Sequence, residues 1–255
     1  MTNSVTAADL TVGWVKKAAS AGSDESIAAL KEAYVHSLIL IPSYRGDSVS
    51  VPGEILWSLY EMKTEKAAKT LRDIVEESLP AFTNRYCDDR LFELAVIALA
   101  QLNKMADSNS VALAQKIVAD NSLDKTLREF AYYNCLCDEI KQKKFSSMND
   151  VFPWLCDKYV KEVMEKRADP KATANERQFS DIVAFGLREY FRRVNLSQKP
   201  LLERLLKEVK AKHGEESDLT WWLNQQIEEL GSDRVPREEV RYWLPEFATN
   251  YPKIQ

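Results

Sequence analysis

Asp88-Asp89-Arg90-Leu91-Phe92-Glu93-Leu94-Ala95-Val96-Ile97-Ala98-Leu99-Ala100-Gln101-Leu102-Asn103-Lys104-Met105 decides the fold. Wound as a helix, it places Leu91, Leu94, Ala95, Ala98, Leu99, Leu102 and Met105 on one stripe, while Phe92, Val96 and Ile97 form a second apolar face. A helix that is apolar nearly all round must be covered on both sides, so this segment is expected at the centre of the fold. The stretch 123–143 behaves alike, with Leu127, Phe130, Ala131 and Cys135 on one side and Tyr132, Leu136 and Ile140 on another. Two such rods require neighbours stacked in layers.

The rest of the chain agrees with helices. Only 7 of 255 residues are glycine, where a globular chain usually carries about 7%, so there is little material for hairpin turns or Gly-rich phosphate loops. No stretch of clean period-two alternation appears, and no sheet is expected. Punctuation is legible: Ser23-Asp24-Glu25 opens one helix and Pro42 stops it, and Thr173-Ala174-Asn175-Glu176 reads as a capping box. Pro200 and Pro236 suit first turns, and Gly22, Gly214 and Gly231 suit helix ends. The spacing predicts helices near 6–21, 24–41, 53–62, 64–79, 88–105, 110–120, 123–143, 150–168, 175–194, 199–213, 218–230 and 237–243. The fold class is therefore all-α, either a helix-pair repeat stack of solenoid type or an irregular bundle of about 10–12 helices.

One internal echo bears on that choice. Leu91-Phe92-Glu93-Leu94-Ala95 and Leu127-Arg128-Glu129-Phe130-Ala131 share the pattern L-x-E-[LF]-A at an offset of 36 residues, with Leu71-Arg72-Asp73-Ile74-Val75 a degenerate relative. On these residues the segment 88–143 resembles HEAT-like or armadillo-like helical repeats, although the period is short for them. The resemblance implies helix pairs that bury themselves by stacking on the next pair and present a surface for recognition.

The chain is expected to form a single all-α domain, with a sub-boundary at the loop 42–53 separating an N-terminal helical pair, 1–41, from a repeat body, 54–255. That loop carries Tyr44 and Arg45 and is a candidate binding loop. The first ten residues do not resemble a secretory signal, and no apolar run approaches the roughly 18 residues of a membrane span. Cys87, Cys135, Cys137 and Cys156 show no CxxC or disulfide-framework spacing. The expectation is a cytoplasmic chain with reduced cysteines and no membrane association.

Catalytic motifs are missing. There is no HExxH, GxSxG, Walker-type loop or GxGxxG, and the two histidines, His36 and His213, leave little for imidazole chemistry or zinc. His36, with Glu32 four residues earlier, is the one seed of a pocket; a hydrogen-bonded structural histidine is the plainer reading. No catalytic residue, no metal and no cofactor are expected, hence a non-enzyme.

Charge says more. The chain carries 35 Lys and Arg against 39 Asp and Glu, net −4, which excludes wholesale polyanion binding. From 186 to 213 eight basic residues meet three acids, and from 214 to 246 nine acids meet three basics. Within the basic strip, Glu189 with Arg193, Glu203 with Lys207, and Glu208 with Arg204 and Lys212 have pairing spacing. Arg188 and Arg192 share a face, have no acid four residues away and stand out as a partner-binding pair. Trp221 and Trp222 cannot both point inward, because successive helical residues lie about 100° apart. With the acids Glu215, Glu216 and Asp218 and the loop residues Tyr44 and Arg45, these complete the expected partner-binding set. The function expected is a non-catalytic protein-binding module of inhibitor, immunity or adaptor type, which occludes a partner protein of basic character. The alternative is a helical-repeat nucleic-acid-binding protein or DNA-repair enzyme using the strip 188–212.

Overall fold

In the computed structural model, the residues described are 10–40, 51–83, 86–87, 89–105, 107–192 and 196–231. The predicted helix 237–243 and the loop residues Tyr44 and Arg45 lie outside them. The fold is all-α, and the helices fall close to where the periodicity puts them. They are α1 (Val12–Ser20), α2 (Asp24–Leu40), α3 (Val51–Met62), α4 (Glu65–Ser78), α5 (Asp89–Lys104), α6 (Ser108–Ala119), α7 (Lys125–Lys143), α8 (Met148–Tyr159), α9 (Glu165–Ala168), α10 (Ala174–Arg192), α11 (Lys199–His213) and α12 (Asp218–Gly231). A π turn, Val160–Met164, joins α8 to α9, so the predicted single helix 150–168 is one rod with a widened turn inside it. Among the described residues no helix is long and apolar enough to cross a membrane.

One feature was not expected from the pattern. Phe82–Thr83 and Tyr86–Cys87 form a two-residue antiparallel pair, with Phe82 opposite Cys87 and Thr83 opposite Tyr86. Two residues per strand are too few to leave a period-two signal. The pair is an extended link between α4 and α5, tied to the start of α7 by the Thr83–Leu123 bridge and by Asp124 N donating to Phe82 O at 3.0 Å.

The chain divides into two compact units, Met1–Leu113 with Ser122–Leu127, and Ala114–Asn121 with Arg128–Gln255. The division runs through α6 and α7 and not at 42–53; α2 and α3, which flank that loop, pack on each other in the first unit.

In the first unit α3 is the hub, packed by α1, α2, α4 and α5. Its Ile55, Leu56 and Leu59 are fully buried, and even Glu54 and Ser58 are drawn inside. The central place expected for 88–105 thus belongs to α3, with α5 against α3 and α4. The polar Glu54 and Ser58 hide in the sequence how completely α3 is enclosed. Lys31 bridges to Glu77 at 2.7 Å and to Asp73 at 3.6 Å, and Arg72 meets Asp107. Burial alone would push the Asp73 carboxyl up, but hydrogen bonds and charge from Lys69 and Lys31 outweigh it and hold it below the ordinary carboxylate range.

In the second unit an aromatic ladder joins α8, α10 and α12. Phe152 stacks on Phe191 at 5.3 Å, Phe191 meets Trp222 edge-on at 4.9 Å, and Trp222 stacks on Tyr159 at 4.6 Å. Gly186 lets α10 approach α7: a Cβ there would stand 2.5 Å from the Tyr132 ring. The capping box forms as expected. Glu176 N donates to Thr173 Oγ1 at 3.2 Å, and Thr173 N donates to Glu176 Oε2 at 2.8 Å.

The two L-x-E-[LF]-A segments begin at the third residue of α5 and of α7, and the alanine of each, Ala95 and Ala131, is buried.

Candidate functional site

Two places in the second unit carry chemistry that the core does not use up. The first is the outer face of α12. Gly214, at φ +90°, ends α11. Ser217 then caps α12 by accepting from Thr220 N at 3.2 Å, and the buried Thr220 hydroxyl donates to Gly214 O at 2.8 Å. That turn fixes Glu215 and Glu216, both exposed. Leu219, Trp222, Leu223, Gln226 and Ile227 point inward. The phase leaves Asp218, Trp221, Gln225 and Glu228 on one outer stripe at spacings of three, four and three. Trp221 is 64% exposed, the most exposed large hydrophobic side chain among the described residues. Asp218, Glu215, Glu216 and Glu228 make no ion pair among the described residues.

The remaining partner-binding candidates distribute differently. Trp222 is 5% exposed and belongs to the aromatic ladder, so its ring is a core element with no face left for a partner. Arg188 does not project freely. It is half-buried, its guanidinium carbon lies 5.2 Å from the Phe185 ring centre, and its Nε is buried without a hydrogen-bond partner among the described residues. The ring three residues earlier on α10 competes with solvent for this cation. The side chain of Arg192 lies outside the described residues. In the basic strip the pairing along α11 does not form among the described residues: Arg204 donates to Asn149 at 2.7 Å, and Lys212 reaches Asp157 at 3.9 Å. Glu32 is exposed, His36 half-buried, and the two share no hydrogen bond or ion pair.

The second place is one that pattern reading passed over. Arg128, on α7, is 1% exposed and the largest fully buried side chain among the described residues. Its Nε donates to Val118 O at 3.0 Å, Nη1 to Gln178 Oε1 at 3.0 Å and Nη2 to Asn121 Oδ1 at 2.7 Å. Val118 O is one of the last carbonyls of α6, which need donors and carry the negative end of the helix dipole. All three acceptors are neutral, and no carboxylate lies within ion-pair distance of the guanidinium among the described residues. Burial pulls the Arg128 pKa down, and the charge of Asp120 works against that fall. Arg128 is one of the residues lining a cleft of about 250 Å3 whose wall is Phe179, 38% exposed, and whose rim carries Lys166, Asn175 and Glu176.

The chain matches no family model, no curated protein and no solved structure.

Next to the cleft, on α7, the Tyr132 hydroxyl donates to Glu162 in the π turn at 3.3 Å, and Lys158 joins Glu162 at 2.8 Å to Glu139 at 3.0 Å. Burial, reinforced by both glutamates, pushes the Tyr132 phenol far up and keeps it protonated. The pattern already holds a trace of Arg128: residues 128, 132, 136 and 140 share one face of α7 at four-residue spacing, and all but the arginine were counted as apolar lining. A hollow in the first unit, about 390 Å3 between Lys16, Glu54 and Trp57, differs in kind, because its buried carboxylate, Glu54, already faces Lys16 at 3.7 Å.

Proposed function

We propose that this protein is a non-catalytic binding module that holds a basic segment of another protein against the outer face of α12, and so occludes it in the manner of an inhibitor or adaptor. The observation that carries the reading is Trp221, 64% exposed between Asp218 and Glu228 with Glu215 and Glu216 in the preceding turn, and no cation paired to any of these acids among the described residues. An exposed indole on a face that also carries carboxylates suits a lysine or arginine, which gains a cation–π contact and a charge-assisted hydrogen bond together. Tryptophan is the residue type most enriched at the energetic centres of protein interfaces. The acids add steering, which quickens encounter with a positively charged partner.

The helical-repeat reading belongs to the same proposal. Its support is the common register of the two L-x-E-[LF]-A segments, each starting at the third residue of its helix, α5 and α7, with α6 between them. A stack of such pairs offers successive outer faces, of which α12 would be one.

The test is affinity capture from the native extract with the wild-type chain, with Trp221→Ala, and with Asp218→Lys combined with Glu228→Lys. The expected result is a stoichiometric basic protein that both variants lose while their circular dichroism stays unchanged. An acidic partner, no stoichiometric partner, or one that the variants retain overturns the proposal.

A further inference from the structure

We propose that the Arg128 cleft is a binding site for a small molecule bearing a compact oxyanion, a carboxylate or a phosphate, with an apolar or aromatic body that rests on Phe179. This site is separate from the outer face of α12 and does not depend on it.

Arginine has five N–H bonds. Three are spent on Val118 O, Gln178 Oε1 and Asn121 Oδ1, which leaves one on each Nη without an acceptor among the described residues. Buried charges are as a rule paired, because an isolated ion loses its hydration without compensation. Here the carbonyl end of α6 and the field of Asp120 offset part of that loss, but neither supplies a contact ion. A cation held rigidly by three neutral acceptors, and lining a hollow, is preorganised for an anion. Each Nη keeps one donor, and guanidinium donors are the groups that engage carboxylates and phosphates in pairs.

The surroundings agree on ligand class. Lys166 stands at the rim with its ammonium facing Glu176, and the exposed amide of Asn175 has no partner among the described residues. Glu176 is the one acid of the lining, and its carboxylate is already occupied. Oε2 accepts from both the amide and the hydroxyl of Thr173, at 2.8 and 2.9 Å, and Oε1 faces Lys166 Nζ at 3.4 Å. Those hydrogen bonds, with the charge of Lys166, hold the Glu176 carboxyl below its ordinary range, so its charge is tied down at the capping box. Phe179 supplies a flat apolar surface beside the cation, its own edge braced on Tyr132 at 6.0 Å. The volume, about 250 Å3, is on the scale of a small ligand.

The experiment is an NMR titration of the full chain with phenyl phosphate, benzoate, inorganic phosphate and, as neutral control, benzyl alcohol. Expected are saturable shifts of the Arg128 Nε–H and of the amides of Asn121 and Asn175 with the two aromatic anions, and none with benzyl alcohol. Phenyl phosphate tighter than benzoate assigns the phosphate, and the reverse order assigns the carboxylate. Lys166→Glu is expected to weaken the aromatic anions by about tenfold, the scale of one charge-assisted contact. Phe179→Ala is expected to weaken them while leaving inorganic phosphate unchanged. Arg128→Gln is expected to abolish the response; should that variant not fold, the two rim variants decide the matter. No saturable shift at millimolar anion, shifts equal for benzyl alcohol, or indifference to both rim variants overturns the proposal.

Discussion

Arg128 concentrates the tension in this molecule at the level of single residues. Its side chain is a structural brace, because it donates to Val118 O at the end of α6 and to the side-chain amides of Gln178 and Asn121. Arg128→Leu keeps the volume apolar but strands three acceptors, and is expected to cost about 2 to 4 kcal/mol, read as a lowered urea midpoint with an unchanged slope. A midpoint within error of wild type would show that solvent reaches those acceptors. The same residue illustrates what the sequence hides. A face is assigned by the majority of its members, so an arginine heading the row Tyr132, Leu136 and Ile140 passes as its polar edge. Conversely the Trp221-Trp222 doublet was legible as one ring in and one ring out, and the phase of Leu219, Leu223 and Ile227 says which. Arg188 misled for a local reason: charge spacing is read along a helix, whereas the Phe185 ring that captures it carries no charge to be counted.

Among the elements, helix starts and stops were the most legible feature, because caps are local chemistry. The Thr173–Glu176 box, the Ser23 cap that accepts from Ser26 N at 3.2 Å, and the stop at Gly214 each depend on residues within one turn. What the pattern did not convey is which helix lies at the centre. Burial around α3 depends on four other helices, and Glu54 and Ser58 dilute its apolar count although they are enclosed. Close approach between elements is equally nonlocal. Gly186 looks in the sequence like one more small residue of α10, yet a methyl there would meet the Tyr132 ring, whose hydroxyl is anchored on Glu162. Gly186→Ala, favourable for an isolated helix, is therefore expected to destabilise the protein by about 1 to 3 kcal/mol through overpacking. Thermal unfolding followed by circular dichroism checks the sign, and a raised midpoint would mean that α10 and α7 slide apart at no cost. Tyr132→Phe keeps the ring and should not relieve the effect.

For the molecule as a whole, connectivity limits how the chain can be cut. The first unit is completed by Ser122–Leu127, which the chain reaches only after passing through Ala114–Asn121 of the second. Those six residues bring the Thr83–Leu123 bridge, the Asp124 amide that donates to Phe82 O, and the buried side chains Leu123 and Leu127. They also bring the cap of α7, where Asp124 Oδ1 accepts from Thr126 N at 2.8 Å. A fragment ending at Leu113 therefore lacks the partner of its own extended link, and Phe82, fully buried in the intact chain, loses part of its cover. The expected result is that a 1–113 fragment unfolds at a lower temperature than a 1–127 fragment, by several degrees for a domain of this size, although only fourteen residues separate them. Fluorescence-monitored melting of the two fragments at equal concentration makes the comparison. Equal midpoints would show that the excursion through 122–127 contributes nothing to the first unit, and that its boundary lies at Leu113 after all.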